Sequence, residues 1–175
     1  ASAPGPPRAY FLGRAHGAGI PAAALAGSVG PARRHAEAGA DLIVAQGTEA
    51  GGHTGQIATM VLVPEVVDAV APVPVLAAGG IGSGRQLAAG MALGAAGAWC
   101  GTVWLTTEEA ETPQAVKQKY LAAGLGDTVR SRSITGKPAR MLRSSWTDEW
   151  ESPESPGPLP MPLQPMLTGQ ALARI

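Results

Sequence analysis

The 175-residue chain carries 13 Lys plus Arg against 13 Asp plus Glu, and 45% of its residues are apolar. Zero formal charge gives no electrostatic pull toward nucleic acid or an anionic membrane, and no apolar run reaches the roughly 18 residues a membrane span needs. The single cysteine, Cys100, excludes an intrachain disulfide and fits a reducing, cytoplasmic setting.

Ala1 to Pro7 lacks the basic start and apolar run of a secretory signal, and the chain has no initiator methionine, as expected either of a processed chain or of a piece of a longer polypeptide. Tyr10 to Ala18 reads as a helix. The apolar run Ile20 to Ala26 reads as a strand ending at Gly27. Ser28 is an N-cap candidate with Pro31 in the first turn, and Gly39 follows that helix. Asp41 to Gln46 is the next strand, ending at Gly47, with Asp41 capping the turn before it. Pro64 can open a short helix bearing Val66, Val67 and Val70. Val73 to Ala78 is a third strand, ending at Gly79. Ser83 and Gln86 have capping-box spacing, with Leu87 and Met91 on one face and Gly94 at the end. Gly97 to Cys100 is a fourth strand, ending at Gly101. Another helix is expected from Thr112, with Pro113 first, to about Gly124.

These apolar runs do not alternate with polar residues, so both faces of each strand are expected to be covered. Strand, glycine turn and helix recur four times, as βαβ units do. Four such units make half of a (β/α)8 barrel, a fold that typically needs about 250 residues. The expectation is an α/β fold: a partial (β/α)8 TIM barrel of about the last four βα units, over residues 1–124. Residues 125–175 are expected to form a post-barrel extension. In it, Arg130 to Trp146 reads as basic and irregular. Six prolines between Pro153 and Pro165 read as extended chain without helix or sheet interior.

Two groups of residues carry chemistry. The first, Gln46-Gly47-Thr48-Glu49-Ala50-Gly51-Gly52-His53, follows the Asp41 to Gln46 strand. In βα barrels the C-terminal ends of strands hold the chemistry, and glycines let backbone approach a ligand. His53 is presented there as a residue able to move a proton or bind an anion. The second group is Ala77-Ala78-Gly79-Gly80-Ile81 with Gly101-Thr102, at the ends of two successive strands. Backbone N–H groups of Gly80 and Gly101 and the Thr102 hydroxyl suit phosphate oxygens. Without a ligand, both are tight turns. His16 and His35 read as solvent-facing helix residues, Cys100 as buried and inert, Lys117 as a solvated helix charge, and Glu49 as a partner for His53 or an exposed carboxylate. Arg130, Arg132, Lys137, Arg140 and Arg143 could bind an anion, but are rather expected to pair with Glu149, Glu151 and Glu154. No metal spacing, P-loop or nucleophile elbow is present.

VAQGTEAGGHTG (Val44 to Gly55) resembles the most distinctive segment of the nitronate monooxygenase family, formerly 2-nitropropane dioxygenase. PVLAAGGIGSGRQLAAGMALGA (Pro74 to Ala95) is similar to the family's next segment, and Trp99 to Thr102 to its last flavin-phosphate segment. TGKPARMLRS (Thr135 to Ser144) resembles its post-barrel stretch. The likeness covers the C-terminal half of a typical member. It implies an FMN enzyme that oxidises alkyl nitronates or nitroalkanes with dioxygen to a carbonyl compound and nitrite, without a metal. Gln46, Gly51 and Gly52 would contact the flavin. Gly79, Gly80, Gly101 and Thr102 would hold its phosphate, and His53 would be catalytic. An FMN-dependent enoyl-acyl-carrier-protein reductase using NAD(P)H shares the same motifs. A third reading is a non-catalytic half-barrel that hides its edges in a homo-oligomer.

Overall fold

A computed structural model describes residues 9–172. In chain order the elements are α1 (Ala9–Gly17), β1 (Ala23–Ala26), α2 (Val29–Glu37), β2 (Leu42–Gln46), β3 (Gly52–His53), α3 (Thr59–Val70), β4 (Val75–Ala78), α4 (Gly84–Ala92) and β5 (Gly97–Trp99). Beyond them lie α5 (Thr102–Leu105), α6 (Gln114–Ala122), β6 (Thr128–Ser131), β7 (Ala139–Leu142), α7 (Ser145–Glu151) and α8 (Leu163–Leu172). They divide into two units. One is Ala1–Ala50 with Gly55–Gly101; the other is Gly51–Thr54 with Thr102–Ile175.

The first unit is a parallel sheet in the order β1-β2-β4-β5. Ala24 lies beside Ile43 and Ile43 beside Val75, while Ala26, Ala45, Ala77 and Ala98 run across the next row of the same face. Helices α2, α3 and α4 pack on these strands. The small alanines let α3 approach closely, so Leu62, Val63 and Val66 are fully buried with Ile43. Each such side chain contributes about 1.5–3 kcal/mol of apolar burial. The strand expectations hold to within a few residues at each end, because apolar runs bounded by glycine leave little else to choose. Gly39 and Gly94 follow α2 and α4 with φ of 94° each, the left-handed turn that ends a helix.

Helix α3 differs from the expected short helix opened by Pro64. It starts at Thr59, with Pro64 inside. Glu49 Oε2 accepts the Thr59 N–H at 2.9 Å, which satisfies a first-turn donor and anchors the helix ahead of the proline. Pro64 then removes only the bond to the Met60 carbonyl, and Met60 is exposed, so water can serve that carbonyl.

The second unit corrects the expected irregular tail. Strands β6 and β7 form an antiparallel pair, Val129 opposite Met141, and β3 adds on the other side of β7 with His53 opposite Ala139. Ser144 caps α7 with a capping box to Thr147. Helix α8 contains Pro165, placed in its first turn, where the missing N–H would have had no partner. The prolines between Pro153 and Pro162 do stay outside helix and strand. They lead to Gln164, fully buried, which accepts the Leu159 N–H at 2.8 Å and donates to the Ser133 carbonyl at 2.7 Å. Thr168 donates to the Ile134 carbonyl at 3.0 Å. Polar side chains, not apolar periodicity, hold this segment, and that is why its composition read as unstructured.

Candidate functional site

Parallel register brings part of the site together. Gln46 pairs with Ala78, and Ala78 with Trp99, so Gln46, Gly79-Gly80 and Cys100-Gly101 lie side by side at the C-terminal ends of β2, β4 and β5. Gly79 (φ 121°) and Gly80 (φ 69°) adopt backbone that side chains rarely tolerate. A Cβ on Gly79 would stand 2.7 Å from Thr59 Oγ1 and 3.0 Å from the Ala50 nitrogen. At Gly101 a Cβ would meet nothing within 4 Å. The N–H groups of Gly79, Gly80 and Gly101 have no acceptor among the described residues, and Gly80 and Gly101 are exposed. Unspent backbone donors on neighbouring strand ends are the chemistry an anionic oxygen needs, so this cradle fits a phosphate group.

Thr59 was not among the residues singled out in the sequence. Its hydroxyl donates to Glu49 Oε2 at 2.7 Å and lies 3.3 Å from the Gly79 carbonyl. Glu49 therefore serves the N-terminus of α3, where a carboxylate also meets the positive end of the helix dipole. A threonine ahead of the apolar run Met60 to Val63 was a visible helix-start signal; its link to Glu49 was not.

Gly51, Gly52, His53 and Thr102 belong to the second unit. Gly52 (φ 78°) turns the chain into β3, where Gly52 and His53 pair with Arg140 and Ala139. The His53 ring is exposed, and its Nε2 lies 2.7 Å from Thr135 Oγ1. One Arg130 N–H group donates to the carbonyl of neighbouring Thr54 at 3.4 Å. Thr102 opens the single turn α5. Thr135 was noted only as part of a motif; a contact across 82 positions leaves no local mark.

Several other residues depart from expectation. His35 is buried, 6% exposed, and burial holds its pKa below the ordinary 6.5, with the Leu25 backbone pulling the other way and Arg34 lowering it further. His16 is exposed as expected but bonds Asp41 Oδ2 at 2.8 Å. Asp41 also accepts the Ala22 N–H at 2.7 Å, as a turn cap should, and these bonds hold its carboxyl below the usual range. Lys117 is buried rather than solvated: its ammonium donates to the Thr107 carbonyl at 2.6 Å and the Glu108 carbonyl at 3.4 Å. Cys100 is half-buried. Arg143, Arg132 and Glu151 of the cluster expected to pair make other bonds instead. Arg143 pairs with Asp148 at 2.6 Å, Arg132 donates to the Gly136 carbonyl, and Glu151 accepts from Ser131. Among the described residues no group of acids, histidines or cysteine could hold a metal, and no helix is long and apolar enough to cross a membrane.

The parallel sheet with helices on its strands and glycine turns at its C-terminal edge defines an α/β protein. The nitronate monooxygenase family model matches residues 2–174, and the chain belongs to that family. It is 69% identical over 175 residues to the monooxygenase candidate Rv1533 of Mycobacterium tuberculosis, covering 100% of this chain and 47% of that protein. It is 43% identical over 145 residues to a hydroxy-methyl-oxo-octahydroindene carboxyl-CoA dehydrogenase of Rhodococcus jostii, covering 83% of this chain and 41% of the relative. Among solved structures, FabK from Thermotoga maritima superposes with TM-score 0.80 at 33% identity, over 94% of this chain and 50% of that one. Nitroalkane oxidase from Streptomyces ansochromogenes gives 0.75 at 37% identity, over 81% and 44%. The chain thus spans about half the length of the proteins it matches.

Proposed function

We propose that the chain is the flavin-phosphate half of an FMN-dependent oxidoreductase that oxidises alkyl nitronates with dioxygen. Residues 1–124 are its last four βα units and residues 125–175 its extension. The observation that carries the reading is the row of unspent N–H donors at Gly79, Gly80 and Gly101 on adjacent strand ends. Family membership and the likeness to a nitroalkane oxidase support it. FMN, when bound, supplies the electron acceptance that nitronate oxidation requires. The chain's own residues would do the rest. Gly79, Gly80 and Gly101, with the Thr102 hydroxyl, hold the phosphate. Gln46, Gly51 and Gly52 border the ring. His53 meets the substrate, as a base toward a neutral nitroalkane or as a donor to a nitronate.

The test is retention of flavin. The purified chain mixed with FMN and desalted should keep a yellow absorbance band that is released as FMN. Gly101→Val should lose that band while melting at an unchanged temperature, because the added Cβ enters open space. A colourless wild-type chain would leave the phosphate assignment without support.

A second reading has its own support. FabK and the carboxyl-CoA dehydrogenase point to the enoyl-acyl-carrier-protein reductase alternative, with thioester substrates and NAD(P)H. Anaerobic bleaching of bound flavin by NADH would favour it. Nitronate-dependent oxygen uptake without NADH favours the monooxygenase.

A further inference from the structure

We propose that Lys117 is a positioning residue for the flavin phosphate: its buried ammonium holds the backbone that leaves α5, and so keeps the Thr102 hydroxyl in place. This role rests on the reading that Thr102, which is exposed, meets that phosphate.

A lysine occupies a place that an apolar residue would ordinarily take. Lys117 is the one buried residue of α6, 9% exposed, while Val116 and Leu121 of the same helix are exposed. An ammonium withdrawn from water is costly unless hydrogen bonds replace its hydration, and a lysine on a surface helix normally runs its charge out to solvent. Here the charge turns inward. It donates to the Thr107 carbonyl at 2.6 Å and to the Glu108 carbonyl at 3.4 Å. No carboxylate pairs with it among the described residues. A full charge is thus directed at the backbone of one loop, through hydrogen bonds stronger than neutral groups would make.

That loop in turn holds α5. Thr102–Leu105 is a single turn, and none of its residues is buried. One turn fixes several dihedrals for one hydrogen bond and does not hold itself together. Side chains just beyond it take its carbonyls instead. Thr106 donates its hydroxyl to the Val103 carbonyl at 3.3 Å, and Thr107 donates its own to the Trp104 carbonyl at 3.0 Å. Thr107 is therefore gripped from both sides: its hydroxyl holds α5, and Lys117 holds its carbonyl. The relay runs from Lys117 to Thr107, to Trp104, and along the turn to Thr102. Without the ammonium, the turn that carries Thr102 keeps only neutral, local bonds. A hydroxyl donor must stay within about 2.5–3.0 Å of its oxygen, so loosening this turn weakens the hold on the phosphate and not on the rest of the flavin.

The test compares FMN with riboflavin, which lacks the phosphate. Dissociation constants for both are read from quenching of flavin fluorescence by the purified chain, with no turnover. The wild type should bind FMN more tightly than riboflavin. Lys117→Met, of similar length and uncharged, should weaken FMN about tenfold and leave riboflavin unchanged. Thr107→Val breaks the next link and should weaken FMN about threefold, again without moving riboflavin. In a Thr102→Val background, Lys117→Met should add no further loss, because both act through one hydroxyl. Equal losses of the two flavins in Lys117→Met make Lys117 a residue of the fold alone and overturn the proposal. An FMN preference that stays at the wild-type value also overturns it, as do additive losses in the double variant. If Lys117→Met fails to fold, Thr107→Val decides by the same ratio. A wild type with no preference for FMN over riboflavin removes the phosphate reading and this proposal with it, whereas a wild-type preference that survives both substitutions removes this proposal alone.

Discussion

At Gly79 a single hydrogen in place of a side chain keeps Thr59 and Ala50 in contact with the end of β4. Gly79→Ala should cost about 2–4 kcal/mol, from a left-handed backbone and a forced contact, read as a lower urea midpoint. Gly80 differs: a Cβ there would stand 3.4 Å from the Glu49 Cβ, so only the φ of 69° opposes substitution. At His35 the effect is on pH. Its folded pKa is depressed below 6.5, so the unfolded chain binds the proton more readily. The fold keeps its full stability above that value and loses some as pH falls through the lowered folded pKa. Urea midpoints measured from about pH 8 down to about pH 5 should therefore drop, and His35→Gln should flatten that part of the curve. The positions of His53 and the glycine doublet just beyond strands were legible because apolar runs bounded by glycine mark where those strands stop. The burial of His35 and Lys117 was not legible, since a helix of nine residues gives too few positions to tell its inner face from its outer one.

Strands β1, β2, β4 and β5 were legible as elements because β-branched and alanine-rich runs bounded by glycine have one economical conformation. The extent of α3 was not, because its N-terminus depends on the Glu49 carboxylate ten positions earlier. The C-terminal elements show the same limit more strongly. Helix α8 is tied down through Gln164 and Thr168 to carbonyls of residues 133 and 134. Gln164→Leu should leave the Leu159 N–H and the Ser133 carbonyl unpaired, a loss of about 2–4 kcal/mol. Limited proteolysis should then cut the 152–162 segment sooner than in wild type. Equal cleavage rates would mean that Gln164 does not anchor the helix.

In the whole molecule the sheet of the first unit is open. Among the described residues β1 and β5 pair on one side only. On the face away from the alanine rows, Leu25 is 45% exposed and Trp99 49%. Unpaired edges and exposed large apolar side chains favour association. Sedimentation of the purified chain should show species heavier than one chain, and Leu25→Glu should shift them toward monomer. A wild-type chain that sediments as a monomer at high concentration would show that these surfaces are not adhesive in solution.

By itself, the sequence determined the local elements of the first unit, the glycine turns at its strand ends and, through its motifs, the nitronate monooxygenase family. Short-range sterics and apolar patterning are sufficient for that, because they act within a few residues. Tertiary structure alone decided what depends on polar contacts over long separations. It gave Glu49 to the start of α3, tied the proline-rich segment to α8, paired His53 of β3 with Ala139 of β7, and set Thr135 against its ring. Hydrogen bonds of this kind need one donor and one acceptor at a fixed distance, and nothing in the residues between them records the pairing.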